Sequence, residues 1–445
     1  MLIMERTGKK SKNPLKALFD FKREEISIAL LMFSFNFIVI AIFQILRPLK
    51  KGYVVAIYGA EPELYMKLLN IVVAALAVVV FTFLYNRLPR QRVIYAFCLF
   101  FAVSFIALRF LLLKPNIVVA WWYYLQVDLI TTIWMAAFWA YLTDISTSDQ
   151  AKRLYGLIGT GGVSGGLVGI LTAKILIGSL GESGLLILSA VLMLIVGFIT
   201  FAVESSLRRS NVFGRADPES QVENEPEKKA SKFNAAIEGA KLAFRSKYLA
   251  AIVGIMAFYE IASQVMNYMF TKKSEVLSGV ETTQVFFIDI QLFANMLSVV
   301  VQLFLVTFVM RKLGLAVALC VLPVGAILCT GFFMAIPALM TASFMFISDN
   351  GFNYSINQTA REALYVPTTP DEKYKARAFT NMFVQRAAKG VAIGGIVLLI
   401  NIGVTVRSLG LFAIAAAAGM ALLGIYNGRR FNEMTRTEVH PGSAQ

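Results

Sequence analysis

Twelve runs of about twenty predominantly apolar residues, the length a helix needs to cross the hydrocarbon core of a bilayer, recur along this chain of 445 residues. They lie near 27–46, 64–86, 93–113, 118–143, 155–178, 183–204, 248–270, 284–310, 314–334, 336–359, 378–401 and 408–427. The seventh, ninth and tenth are the weakest, interrupted by polar residues or separated by a very short connection. In lipid a backbone must satisfy its own hydrogen bonds, and a helix does so within one segment. The expected fold class is therefore an all-α polytopic membrane protein. Composition agrees: 58% of residues are hydrophobic, 16% charged, and mean hydropathy is +0.68, whereas a soluble chain carries about 25% charged residues.

Shifting residue numbers by 224 lays the two halves over one another. Arg87 then falls on Arg311, Arg153 on Arg377 and Gly166 on Gly390, and the basic positions separate apolar runs in each case. Two parallel six-helix halves, related by an axis along the membrane normal, are the architecture of major-facilitator-like carriers, which place their substrate site between the halves. The pattern predicts a cytoplasmic tail over 1–26, one half over 27–204, a linker over 205–247, the other half over 248–427 and a second tail over 428–445. In the linker, Asp217 to Lys229 is polar. Phe233, Ala236, Ile237, Ala240 and Phe244 then recur at helical spacing, which predicts a short amphipathic surface helix.

The net charge of +15 invites a nucleic-acid reading, but the basic residues sit in short clusters between apolar spans, as on cytoplasmic loops. Sorting the loops puts 30 of the 42 Lys and Arg residues on one side and 8 on the other, with 4 inside spans. Arg47, Lys50, Lys51 and Lys67 belong to the smaller set. Both termini are expected in the cytoplasm. The basic N-terminus is too long before its first apolar run for a cleaved signal peptide. Cys98, Cys320 and Cys329 lack metal-ligand spacing and His440 is the only histidine, so neither a metal nor a cofactor is expected.

Charges inside spans are costly and by default face a cavity or a partner. The cations are Arg47, Lys50, Arg109, Lys174, Arg386 and Lys389; the acids are Asp128, Glu260, Asp289 and Asp349. For Lys67, Lys114 and Lys174 a buried ion pair or snorkelling suffices. Arg386 and Lys389 are one turn apart with no acid within four positions, and a cationic face in a membrane suits an anionic substrate. Trp121, Trp122, Tyr123, Tyr124 and Trp134 fit an interfacial belt or base-stacking partners. The run Gly159 to Gly169 lacks the ending of a phosphate loop. Its pairs Gly162/Gly166 and Gly165/Gly169, like Gly390/Gly394, fit close helix packing. Arg361 and Glu362 follow the tenth span. With Arg153 and Arg377 they form a candidate gate at the cytoplasmic mouth, although a surface pair reads equally well.

Arg361-Glu362-Ala363-Leu364-Tyr365-Val366-Pro367, followed by Lys373, Lys375 and Arg377, resembles the Lys-Glu-Met-Ala-Tyr-Ile-Pro…Lys-x-Lys-Gly-Lys segment of the ATP/ADP translocases of plastids and intracellular bacteria. Leu46-Arg47-Pro48-Leu49-Lys50-Lys51-Gly52-Tyr53-Val54-Val55 resembles their first-helix element. Phe138-Trp139 and the stretch from Ser146 to Gly159 resemble a third. The resemblance implies twelve helices and nucleotide exchange, in a bacterial inner membrane. It sets Lys50 at a substrate-binding lysine and Glu260 and Asp128 near family glutamates. Arg361 stands where the family has lysine, and Lys51 replaces an acid.

The chain is thus expected to be a monomeric alternating-access exchanger of nucleotides or a related phosphorylated anion. Lys50, Asp128, Glu260, Arg361, Arg386 and Lys389 would form its binding site. The alternative is a carrier of another organic anion driven by proton or ion symport, with Asp128 or Glu260 taking the proton. A membrane-embedded transferase or scaffold is disfavoured, since the loops lack acidic metal-binding clusters.

Overall fold

The computed structural model describes residues 23–209, 232–369 and 372–439. Most of the expected N-terminal tail, the polar centre of the linker and His440 lie outside these residues. The elements are α1 (Arg23–Tyr58), α2 (Ala60–Arg87), α3 (Arg90–Leu111), α4 (Ile117–Ile145), α5 (Ser148–Arg209), α6 (Lys232–Arg245), α7 (Lys247–Ser274), α8 (Val280–Val300), α9 (Leu315–Ala335), α10 (Leu339–Phe352), α11 (Gln358–Ala363), α12 (Gln385–Asn401) and α13 (Val406–Val439), with no strand among the described residues. π-helical turns extend α8 to Leu313, join α10 to α11 through Asn353–Asn357, and precede α12 over Thr380–Val384.

Ten helices among the described residues are long and apolar enough to span a bilayer. One of them, α5, has 62 residues; at 1.5 Å per residue it would run about 93 Å, some three times the hydrocarbon thickness. It turns at Gly181, whose φ of 62° suits a residue without a Cβ, and supplies two crossings. The remaining crossing is α10 with its continuation to Ala363. Asp349, Asn350, Asn353 and Asn357 dilute its hydropathy, and the same polar residues weaken the tenth apolar run in the sequence.

The helices form two halves of major-facilitator type. In the first, α1 lies along the first limb of α5. A Cβ on Gly161 or Gly169 would stand 2.5 Å from the carbonyl oxygens of Phe33 or Ala41, so the backbones touch, and Gly165 meets Phe37 in the same row. The contact row is therefore 161/165/169, whereas Gly162 and Gly166 meet the side chains of Asn36 and Gln44. Gly390 and Gly394 make no such close approach. In the second half that role falls to Gly428 of α13, against Ala316 of α9.

The halves meet through α1 and α5 against α8, and through α2 against α7 and α12. Their cross-connections gather toward one end. The Ala60 N–H donates to Glu275 Oε1 (2.6 Å), Lys272 pairs with Glu61 (3.3 Å), and Gln284 donates to the Leu49 carbonyl (3.2 Å). At the opposite end the ion pairs Arg153–Glu25, Arg90–Asp144 and Arg377–Glu362 each stay within one half.

Candidate functional site

A cavity of about 270 Å³ lies between the halves. Arg47, Lys50 and Lys51 reach it from α1, Glu63 and Lys67 from α2, Tyr124 and Asp128 from α4. From the other half come Tyr259, Glu260, Ser263, Gln264 and Asn267 of α7, Phe287 and Gln291 of α8, Phe346 and Asn350 of α10, Asn353 and Tyr354 of the π-turn, Arg361 of α11, and Gln385 and Lys389 of α12. Six cations and three carboxylates line it, a surplus of three positive charges.

The acids are distributed unevenly. Lys50, 3% exposed, pairs with Asp128, donates to the Tyr124 carbonyl (3.3 Å) and lies 3.9 Å from the centre of the Tyr124 ring. Asn70 holds the other oxygen of Asp128 (3.0 Å). Glu63 serves two lysines, Lys67 at 3.1 Å and Lys51 at 3.9 Å, and accepts the Tyr124 hydroxyl (3.0 Å). Both lysines also reach Asn267 Oδ1 across the interface (3.0 and 3.1 Å). Glu260 accepts from the Gln385 amide (2.8 Å) rather than from a cation. Arg47, Arg361 and Lys389 are left with no ion-pair partner among the described residues. Arg47 rests against Phe43, and Arg361 against Tyr259 and Met256.

Of the residues selected from sequence, Lys50, Asp128, Glu260, Arg361 and Lys389 share this cavity. Arg386 does not line it. On the regular helix Gln385–Asn401, Gln385 and Lys389 lie about 40° apart and face the cavity, whereas Arg386 lies about 100° round from Gln385 and does not line it. Of the expected gate residues, Glu362 and Arg377 pair with each other (2.8 Å), Arg153 binds Glu25 (2.9 Å), and Arg361 faces the cavity.

Of Trp121, Trp122, Tyr123, Tyr124 and Trp134, only Tyr124 lines the cavity. Trp134 and Tyr123 are fully buried in the first half, where Trp134 packs on Phe35, Phe97 and Phe101. Lys174 pairs with Asp289 across the halves (2.5 Å). The loop sorting misplaced Arg47, Lys50, Lys51 and Lys67: α1 continues through Pro48 to Tyr58, and all four line the cavity. Glu63 was overlooked, although an acid four residues before Lys67 at the start of an apolar run is a readable i,i+4 pair.

Comparisons with known proteins agree with this architecture. The nucleoside transporter NupG shares the fold, with a TM-score of 0.61 at 13% identity over 92% of this chain and 99% of that one. So does the xylose transporter XylE from E. coli in its inward open conformation, with a TM-score of 0.55 at 11% identity over 89% and 95% of the two chains. In sequence, the chain is 22% identical over 434 residues to ADP,ATP carrier protein 1 of Rickettsia bellii, covering 84% of this chain and 86% of that carrier. It is 23% identical over 409 residues to ADP,ATP carrier protein 5 of the same organism, covering 78% and 81%. The profile of the TLC ATP/ADP transporter family matches residues 4–120 and 116–426. The chain is an integral membrane transporter that belongs to the TLC ATP/ADP transporter family.

Proposed function

We propose that this carrier exchanges nucleoside di- or triphosphates across a bacterial inner membrane. The observation that carries the reading is the cationic surplus in the cavity, with Arg47, Arg361 and Lys389 in no ion pair among the described residues. A phosphate chain with roughly −3 to −4 charges at neutral pH neutralises such a surplus. Arg361 and Arg47 bind phosphate oxygens through planar guanidinium forks and Lys389 as a point charge. Lys50 joins them by exchanging Asp128 for phosphate. The rings of Tyr259, Tyr354 and Phe346 offer a base its apolar surfaces.

The charge also supplies a reason for exchange. Closing both ends over an empty cavity would bury uncompensated like charges, whose repulsion grows as water leaves. With an anion bound, the surplus is cancelled and the halves can rock. Return of the carrier therefore requires a second anion, which is antiport. Positively charged loops set the termini in the cytoplasm, so the cross-connected end near Gly59 and Glu275 is the outer one and this state faces inward. In the outward state Glu362, Arg377, Arg361 and Arg153 approach across the inner mouth and close it. Arg386, away from the cavity here, takes no direct part in this inward state. The carrier acts as a monomer.

Competition against labelled ATP uptake in proteoliposomes tests the reading. ADP and ATP should compete best, AMP weakly, and adenosine hardly at all. Equal competition by adenosine would place recognition on the base and remove the role of the cations.

A further inference from the structure

Asp349 is buried behind the cavity wall, 5% exposed, at the centre of a helix that crosses the membrane. Its Oδ2 accepts a hydrogen bond from Ser263 (2.7 Å), and its Oδ1 is buried with no partner among the described residues. No Lys or Arg among the described residues pairs with it. Ser263 lines the cavity one helical turn from Glu260, which is itself 4% exposed and held by an amide instead of a cation.

The titratable groups that face Asp349 are few. From α7 come Glu260 and Tyr259, and from α9 comes Cys329. Tyr354 of the adjoining π-turn faces Tyr259. Arg361 and Lys389 act on Glu260 from the cavity side. One carboxyl, Glu260, thus lines the cavity wall and the other, Asp349, stands behind it without a counter-charge among the described residues. As a carboxylate, Asp349 is an uncompensated charge at membrane depth, which is strongly disfavoured. As an acid it is neutral, and the charge no longer has to be carried in a site without a cation.

We propose that Asp349, reached from the cavity through Ser263 and acting together with Glu260, is a proton-binding site that couples anion transport to the pH gradient. A proton taken up there removes one negative charge from the wall facing Arg361 and Lys389. The cavity becomes more positive and binds a polyphosphate more tightly; by linkage, the bound anion favours the proton. Proton and anion then travel in the same direction, superimposed on exchange. The inference rests on the nucleotide reading for its substrate, but the proton site has its own readout.

The test is uptake of labelled ATP into proteoliposomes with and without an inward proton gradient of one pH unit. Wild type should gain in accumulation, up to roughly tenfold for each coupled proton and pH unit. Asp349→Asn should retain exchange at equal pH and lose the response to the gradient, while Asp349→Glu should keep it. A wild type indifferent to the gradient, or an Asp349→Asn carrier that still responds, overturns the proposal. If Asp349→Asn does not fold, or if wild type transports no nucleotide, pH-difference infrared spectra decide. The protonated-carboxyl stretch should shift between wild type and Asp349→Glu, and an unshifted band overturns the site independently of the substrate.

Discussion

The pair Lys50–Asp128 separates a structural role from substrate binding, because its members can be removed singly or together. Lys50 is nearly buried and Asp128 is 24% exposed toward the cavity. Lys50→Met leaves Asp128 with only the Asn70 amide. Breaking a buried pair from one side costs about 3–5 kcal/mol; partial exposure and the retained amide put this case near the lower end. Asp128→Asn leaves the ammonium with the Tyr124 carbonyl and ring, and costs about 1–3 kcal/mol. The double variant Lys50→Met/Asp128→Asn removes both charges, recovers most of the stability and restores the cavity surplus.

Transport should not recover with it. If Lys50 holds a phosphate oxygen, its loss weakens half-saturation by about 2 kcal/mol or more, roughly 30-fold, in the single and double variants alike. The assays are thermal unfolding of purified protein and concentration-dependent uptake of labelled ATP in proteoliposomes. A double variant that regains both stability and affinity would refute a phosphate-binding role and leave Lys50 as half of an ion pair.

Glu275→Ala removes the acceptor that Ala60 and Lys272 share at the end proposed to be the outer one. A single cysteine at Asn267 should then label faster from outside, by roughly 5- to 30-fold for a population shift of about 1–2 kcal/mol. Glu362→Gln should leave stability within about 1 kcal/mol, since its pair with Arg377 is half exposed. It should also raise cytoplasmic labelling at Asn357; unchanged labelling would remove Glu362 from the inner gate. Gly165→Val should abolish folded protein, because its side chain has no space against the Phe37 backbone, and normal abundance would contradict the packing. Lys114→Ala, outside the cavity, should transport normally.

The spans and their pairing into halves were legible because hydropathy over twenty residues integrates many weak signals. Single positions were less so. Lys51 and Lys67 sit at the ends of apolar runs, where linear sequence does not distinguish a loop lysine from one turned into a cavity between the halves. Arg386 and Lys389 share a broad helix face, but the cavity meets its Gln385/Lys389 edge, and the sequence does not mark which edge of a face is turned to a neighbouring half. The aromatic cluster Trp121 to Tyr124 reads as one unit in sequence. On α4 its members divide among the lipid face, the core and the cavity, 100° apart. The glycine row was found as a device, but its register depended on which face of α5 meets α1.

The most direct measurement is uptake of labelled ATP into proteoliposomes loaded with unlabelled ADP, compared with empty vesicles at equal pH on both sides. A cavity that cannot close over an uncancelled cationic surplus should give rapid uptake only in the loaded vesicles. Uptake as fast and as extensive into empty vesicles would show that the carrier returns without an anion, and that the surplus does not enforce exchange.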